Sequence, residues 1–161
     1  MDDEGLIKAK NYALRLIAIR PRSEREIKDK LTIYLRKKGL PGKLIEVVVS
    51  HLKEFDFIND TDFAKWWIMQ RGTSAIRGSK IITLELKSKG VSSDIITELL
   101  PNPDDNQELE KAKIVISKSL RRKYSSFSPQ IVKMKLANLL FRRGFTSQVI
   151  KKAIDETIQK S

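Results

Sequence analysis

The sequence predicts an all-α protein, built as an elongated array of three tandem three-helix repeats with about nine helices. Two observations carry this. Apolar residues recur at helical spacing nearly throughout, and one layout occurs three times: Leu31 to Leu40, Ile82 to Val91 and Leu136 to Phe145 each end in basic residues, a glycine and an apolar residue. The closing glycines, Gly39, Gly90 and Gly144, stand 51 and then 54 residues apart. The residues that follow also correspond. Leu44, Ile45, Val48 and Val49 match Ile95, Ile96, Leu99 and Leu100, and then Val149, Ile150, Ala153 and Ile154. A fixed period of this length means stacked units, none of which buries its apolar face alone. Such a chain presents an extended surface rather than a pocket, which favours a binding protein over an enzyme.

The first repeat is expected at 1–58, with helices at 6–20, 23–38 and 42–54. Ile27, Leu31, Tyr34 and Leu35 fall on one helical face. Ser23-Glu24-Arg25-Glu26 is a capping box, in which the serine hydroxyl and the glutamate carboxylate satisfy each other's free amides. Val47-Val48-Val49 is β-branched, but its place in the repeat argues helix.

The second repeat is expected at 59–101, with helices at 60–71, 79–89 and 92–100. Gly78 and Glu85 stand where the other copies carry apolar residues, so this middle helix should be shorter or shallower. The segment 71–78, with two glycines and two arginines, reads as a loop.

The third repeat is expected at 102–161, with helices at 105–123, 128–143 and 146–158. Pro101-Asn102-Pro103 bars helix continuation before it. Ser128-Pro129 places a cap ahead of a proline at the first helical position, where no amide hydrogen is missed. Val132, Leu136, Leu139 and Leu140 repeat the spacing of the first copy. At each closing glycine the left-handed conformation is tolerated, and the preceding Lys and Arg suit the negative end of the helix dipole.

The charge is uneven. The formal net charge is +12, and residues 110–161 hold 13 Lys/Arg against three acids, a net +10. That imbalance attracts polyanions, nucleic acid first and an acidic protein surface second. Candidate contacts are Arg20, Arg22, Arg25 and Lys28 in the first repeat, then Arg71, Arg77 and Lys80 in the second. In the third they are Arg121, Arg122, Lys123, Lys133, Lys135, Arg142 and Arg143. Basic residues recurring at one level of a stacked array would form a stripe able to track a phosphate backbone.

Enzyme chemistry finds little support. The chain has no cysteine and one histidine, His51, so no His/Cys metal cluster can form. His51 sits inside an amphipathic helix. Asp56, Asp60 and Asp62 cluster at a helix start, where capping explains them better than a metal. Neither GxxxxGK[ST] nor GxGxxG occurs. No catalytic residue, cofactor or metal is expected. Phe63 and Trp67 should be core, while Trp66 lies to one side, where it packs or stacks on a base. The acidic start, unlike a signal peptide, and the lack of any apolar run of about 20 residues point to a cytoplasmic protein without membrane contact.

Arg20-Pro21-Arg22-Ser23-Glu24-Arg25-Glu26-Ile27, then Phe57-Ile58-Asn59-Asp60 leading to Asp62-Phe63-Ala64, then Gly78, Ile82, Glu85-Leu86 and Lys89-Gly90-Val91 are similar in order and spacing to the RecX family. These are bacterial regulators of the RecA recombinase. The resemblance is closest over residues 13–100 and looser in the third repeat. It implies a nine-helix elongated protein that binds in the groove of the RecA–single-stranded DNA filament. It further implies that the protein limits filament growth, ATP hydrolysis, strand exchange and the coprotease activity behind the SOS response. The resemblance brings no catalytic residue with it, and a monomer is expected. Two other readings stay open: a helix-turn-helix-like regulator that binds duplex DNA directly, and a helical scaffold for an acidic protein.

Overall fold

A computed structural model describes residues 3–73 and 75–158, with the side chains of Thr73 and Lys123 outside the description. The described residues form nine α-helices and no strand. They are α1 (Asp3–Ile19), α2 (Glu24–Lys38), α3 (Leu44–Glu54), α4 (Asp60–Thr73), α5 (Ser79–Ser88), α6 (Ser93–Leu99), α7 (Asn106–Lys123), α8 (Pro129–Arg142) and α9 (Ser147–Ile158). The all-α repeat expected from the periodicity is what forms. α5 has 10 residues against 15 in α2 and 14 in α8, the shortening that Gly78 and Glu85 imply.

The chain packs as two compact units, Met1–Trp67 with Leu86–Ile95, and Ile68–Glu85 with Ile96–Ser161. In the first unit Ile27, Leu31 and Leu35 of α2 bury against Ala9 and Ala13 of α1 and Leu44, Val48, Val49 and Leu52 of α3. The two alanines, both fully buried, leave room for close helix approach. Tyr12 and Tyr34 stack at 4.2 Å between centroids. In the second unit Val132, Leu136 and Leu140 of α8 occupy the same role, packed against Val115 and Ile116 of α7 and Val149, Ala153 and Ile154 of α9. Removing this apolar surface from water is the main stabilising term, worth about 1.5–3 kcal/mol for each large side chain fully buried.

All three middle helices end alike. Gly39, Gly90 and Gly144 have φ of 65°, 80° and 89°. The amides of Leu40, Val91 and Phe145 reach back to the carbonyls of Leu35, Leu86 and Leu140 at 2.9, 3.0 and 3.1 Å. This closure satisfies carbonyls that the helix end leaves free. The Ser23 capping box forms on both sides. Ser128 does occupy the cap position of α8 with Pro129 following, but its side chain makes no capping bond there.

At Gly90 and Gly144 the carbonyl just before the glycine also receives a bond from a residue far away in the chain. The Ser23 hydroxyl donates to Lys89 O at 2.7 Å within the first unit, and the Gly78 amide donates to Arg143 O at 2.7 Å within the second.

Candidate functional site

Most of the predicted basic residues fall into two groups by partner. In the first group the charge is already used. Arg20 Nη2 lies 2.6 Å from Glu26 Oε1, with its guanidinium 5.8 Å from the Trp66 ring centroid. Lys28 meets Glu24 at 3.1 Å and Glu46 at 3.3 Å. Arg71 pairs with Glu85 at 2.8 Å. Arg22 donates to Leu16 O at 3.3 Å, and burial, with Arg20 nearby, lowers its guanidinium pKa. Glu26 collects donors from Arg20, Lys89 and the Ser23 amide. Burial alone would raise its carboxyl; those donors outweigh it and hold the group at about 2.

The second group is open to solvent. Arg25, Lys80, Arg121, Arg122, Lys133, Lys135 and Arg142 are exposed, and none has a carboxylate partner among the described residues. Five of these seven lie on α7 and α8. Lys123 ends α7, but its side chain is outside the described part.

Arg122, Arg142 and Arg143 converge. With Lys118 and Tyr124 they line a cavity of about 380 Å³ in the second unit, floored by apolar residues such as Val115 and Leu139. No carboxylate lines it. Arg143 is half-buried, and burial, then the nearby Arg77, lowers its guanidinium pKa. The Nε of Arg77 is buried without a hydrogen-bond partner among the described residues. A second groove shares Tyr124 and Arg142 and adds Phe127, Lys135 and Asn138. Tyr124 and Phe127 stand 6.3 Å apart, and Lys135 Nζ lies 4.9 Å from the Phe127 ring centroid.

Lys118, Tyr124, Phe127 and Asn138 are absent from the set read from sequence. Spacing carried a trace of them. Lys118 and Arg122 are four apart on α7, and Lys135, Asn138 and Arg142 fall at i, i+3 and i+7 on α8, so each group shares a face. Which faces meet is a matter of packing.

Other sequence expectations resolve locally. Asn59 caps α4, accepting from the amides of Thr61 and Asp62. Asp60 instead accepts the Glu24 amide at 2.9 Å, and burial raises its carboxyl pKa despite that bond. No group of three or more potential metal ligands gathers among the described residues. Trp67, expected in the core, is only half-buried, with Lys89 Nζ 5.4 Å from its ring centroid. Trp66 packs near Phe63 and Trp67, each at 6.2 Å. No helix of the described residues is long and apolar enough to cross a membrane.

Comparison with known proteins places this arrangement. Residues 9–52 match the family description "RecX, first three-helix domain", and residues 105–154 match "RecX, third three-helix domain". The regulatory protein RecX of Mycolicibacterium smegmatis is 32% identical over 144 residues, covering 88% of this chain and 74% of that protein. That of Listeria monocytogenes is 31% identical over 149 residues, covering 92% of this chain and 54% of its own length, so the chain spans about half of that relative. The crystal structure of RecX from Lactobacillus salivarius superposes with a TM-score of 0.78 at 25% identity, covering 97% of this chain and 98% of that one. The repeated helix closures, the matched first and third domains and the shared fold together make this chain a member of the RecX family of regulatory proteins.

Proposed function

We propose that the chain binds the RecA–single-stranded DNA filament and negatively modulates its recombinase, ATPase and coprotease activities, as a cytoplasmic monomer without cofactor or catalytic step of its own. Its three repeats, 1–58, 59–101 and 102–161, each contribute contacts. The observation that carries this beyond kinship is the state of the third repeat's cations. Arg121, Arg122, Lys133, Lys135 and Arg142 are exposed and unpaired by carboxylates among the described residues. Structural ion pairs do not account for them, and unpaired cations on neighbouring helices suit phosphates. Many weak contacts along a filament then add through effective concentration.

The test is single-stranded-DNA-dependent ATP hydrolysis by the host's own RecA, titrated with this chain, alongside its affinity for the bare strand at two salt concentrations. Loss of hydrolysis at substoichiometric protein, with weak bare-strand binding, is the expected result. No effect at saturating protein would remove the reading. Strong preference among unrelated duplexes would favour the direct duplex-binding alternative. Removing the third repeat is expected to weaken binding sharply, but a cut after residue 109 also strips the core on which Ile76 packs. Point substitution of the exposed cations is therefore the cleaner form of that experiment.

A further inference from the structure

We propose that the third repeat holds one nucleotide of a single-stranded nucleic acid, its phosphate in the cavity lined by Lys118, Arg122, Arg142 and Arg143 and its base against Tyr124 and Phe127 in the adjoining groove. The proposal rests on the reading that this chain contacts nucleic acid, and it specifies where and how. Four cations face one cavity of about 380 Å³ with no carboxylate in its lining. That volume falls within the range of small-ligand sites, about 300–1,000 Å³. Like charges held together are unfavourable until an anion enters. Arg143 is half-buried, and burial, then Arg77 beside it, lowers its guanidinium pKa.

Helix dipoles explain only part of this. Cations suit a helix C-terminus, but the effect fades within the last turn. Lys118 lies more than a turn before the end of α7, and a dipole calls for no aromatic residues. The adjoining groove supplies what a base needs. Phe127 is 43% exposed, Tyr124 stands beside it, and Asn138 offers both a donor and an acceptor. Because Tyr124 and Arg142 line both spaces, a phosphate in one and its base in the other are held at once. Stacking accepts any base, so the site is expected to be tolerant of sequence.

The experiment measures anisotropy of a labelled oligothymidylate with the full chain over a salt series. Arg122→Gln and Arg142→Gln are each expected to weaken binding about tenfold at low salt and to lower the log–log salt slope by about 0.7, the value for one lost phosphate contact on a single strand. Phe127→Leu is expected to weaken binding about tenfold with the slope unchanged, and to have no effect on an abasic oligomer. Lys30→Gln, an exposed charge on α2, serves as the matched comparison. Thermal melts of all four exposed-site variants are expected to stay close to the parent.

Arginine variants that behave like Lys30→Gln would overturn the phosphate assignment. Phe127→Leu that binds like the parent would overturn the base assignment. Inorganic phosphate displacing the oligomer as effectively as unlabelled strand would make the cavity a free-anion site instead. Failure here is separable from failure of the filament reading. In the first case the variants bind strand normally while the parent chain still inhibits RecA hydrolysis. In the second the parent fails to inhibit, whatever the variants do to strand binding.

Discussion

Glu108 caps α5 from α7. Its Oε2 accepts the Ser79 amide at 2.9 Å, and its Oε1 accepts the Ser79 hydroxyl at 2.5 Å. Both residues are fully buried, and Lys111 Nζ supplies a third donor at 2.7 Å. A carboxylate is thus placed at the positive end of a helix 29 residues earlier in the chain. Glu108→Gln keeps the shape but loses the charge, and is expected to cost roughly 2 kcal/mol in urea unfolding. Ser79→Ala leaves the carboxylate short of a donor and is expected to cost about 1–3 kcal/mol.

Gly78 is required for space. A Cβ there would meet the carbonyl of Gly144 and lie 2.9 Å from Phe145 N, backbone atoms that cannot rotate away. Gly78→Ala is expected to destabilise by about 1–3 kcal/mol or more, and to weaken the bond to Arg143 O. Gly42 has nothing within 4 Å of such a carbon, and Gly42→Ala is expected to change stability by less than about 1 kcal/mol. Thermal melts of the pair decide it.

The closing glycines separate conformation from contact. Gly39→Ala meets open space, so only the left-handed φ of 65° is penalised, about 1 kcal/mol. Gly144→Ala adds a collision with Ile81 to the same penalty. Denaturant midpoints are expected to fall further for Gly144→Ala than for Gly39→Ala.

Acid stability should carry the mark of Glu26. Its folded carboxyl lies at about 2 against an ordinary 4.5. The unfolded chain therefore takes up this proton first as pH falls, so the stabilisation is complete above about pH 4.5 and is lost down to about pH 2. Glu26→Gln is expected to be less stable at pH 7 and to show a shallower loss of stability across that window, read from urea unfolding at several pH values.

Paired and unpaired cations should respond differently. Arg20→Gln breaks the pair with Glu26 and is expected to lower the unfolding midpoint. Lys133→Gln touches an exposed side chain without a carboxylate partner among the described residues, and is expected to leave the midpoint unchanged. On the proposed function it weakens filament binding at low salt more than at high salt. Melting curves and a salt series of inhibition separate the two.

The helices, their closures and the capping box were legible in the chain because each depends on neighbours within about five residues. The Leu35–Leu40, Leu86–Val91 and Leu140–Phe145 bonds are set by a glycine at a fixed offset. The same locality explains why α5 was expected to be short. Ser128 takes the cap position read from the chain, with Pro129 next, and its hydroxyl makes no capping bond, because position permits such a bond without compelling one.

Charge use was not legible. Arg20, Lys28 and Arg142 look alike as letters, yet Glu26 and Glu46 claim the first two, while Arg142 faces a cavity with Lys118 and Arg122. Lys28 meets Glu46 across 18 residues, and Lys89 meets Glu26 across 63. Gly78 read as a lost apolar contact, and proved to be the point where one backbone meets another. Periodicity is a property of one helix, whose geometry the backbone dictates from within. Whether a side chain is neutralised, crowded or left free depends on which helices pack against it, and burial of apolar faces across the whole chain decides that.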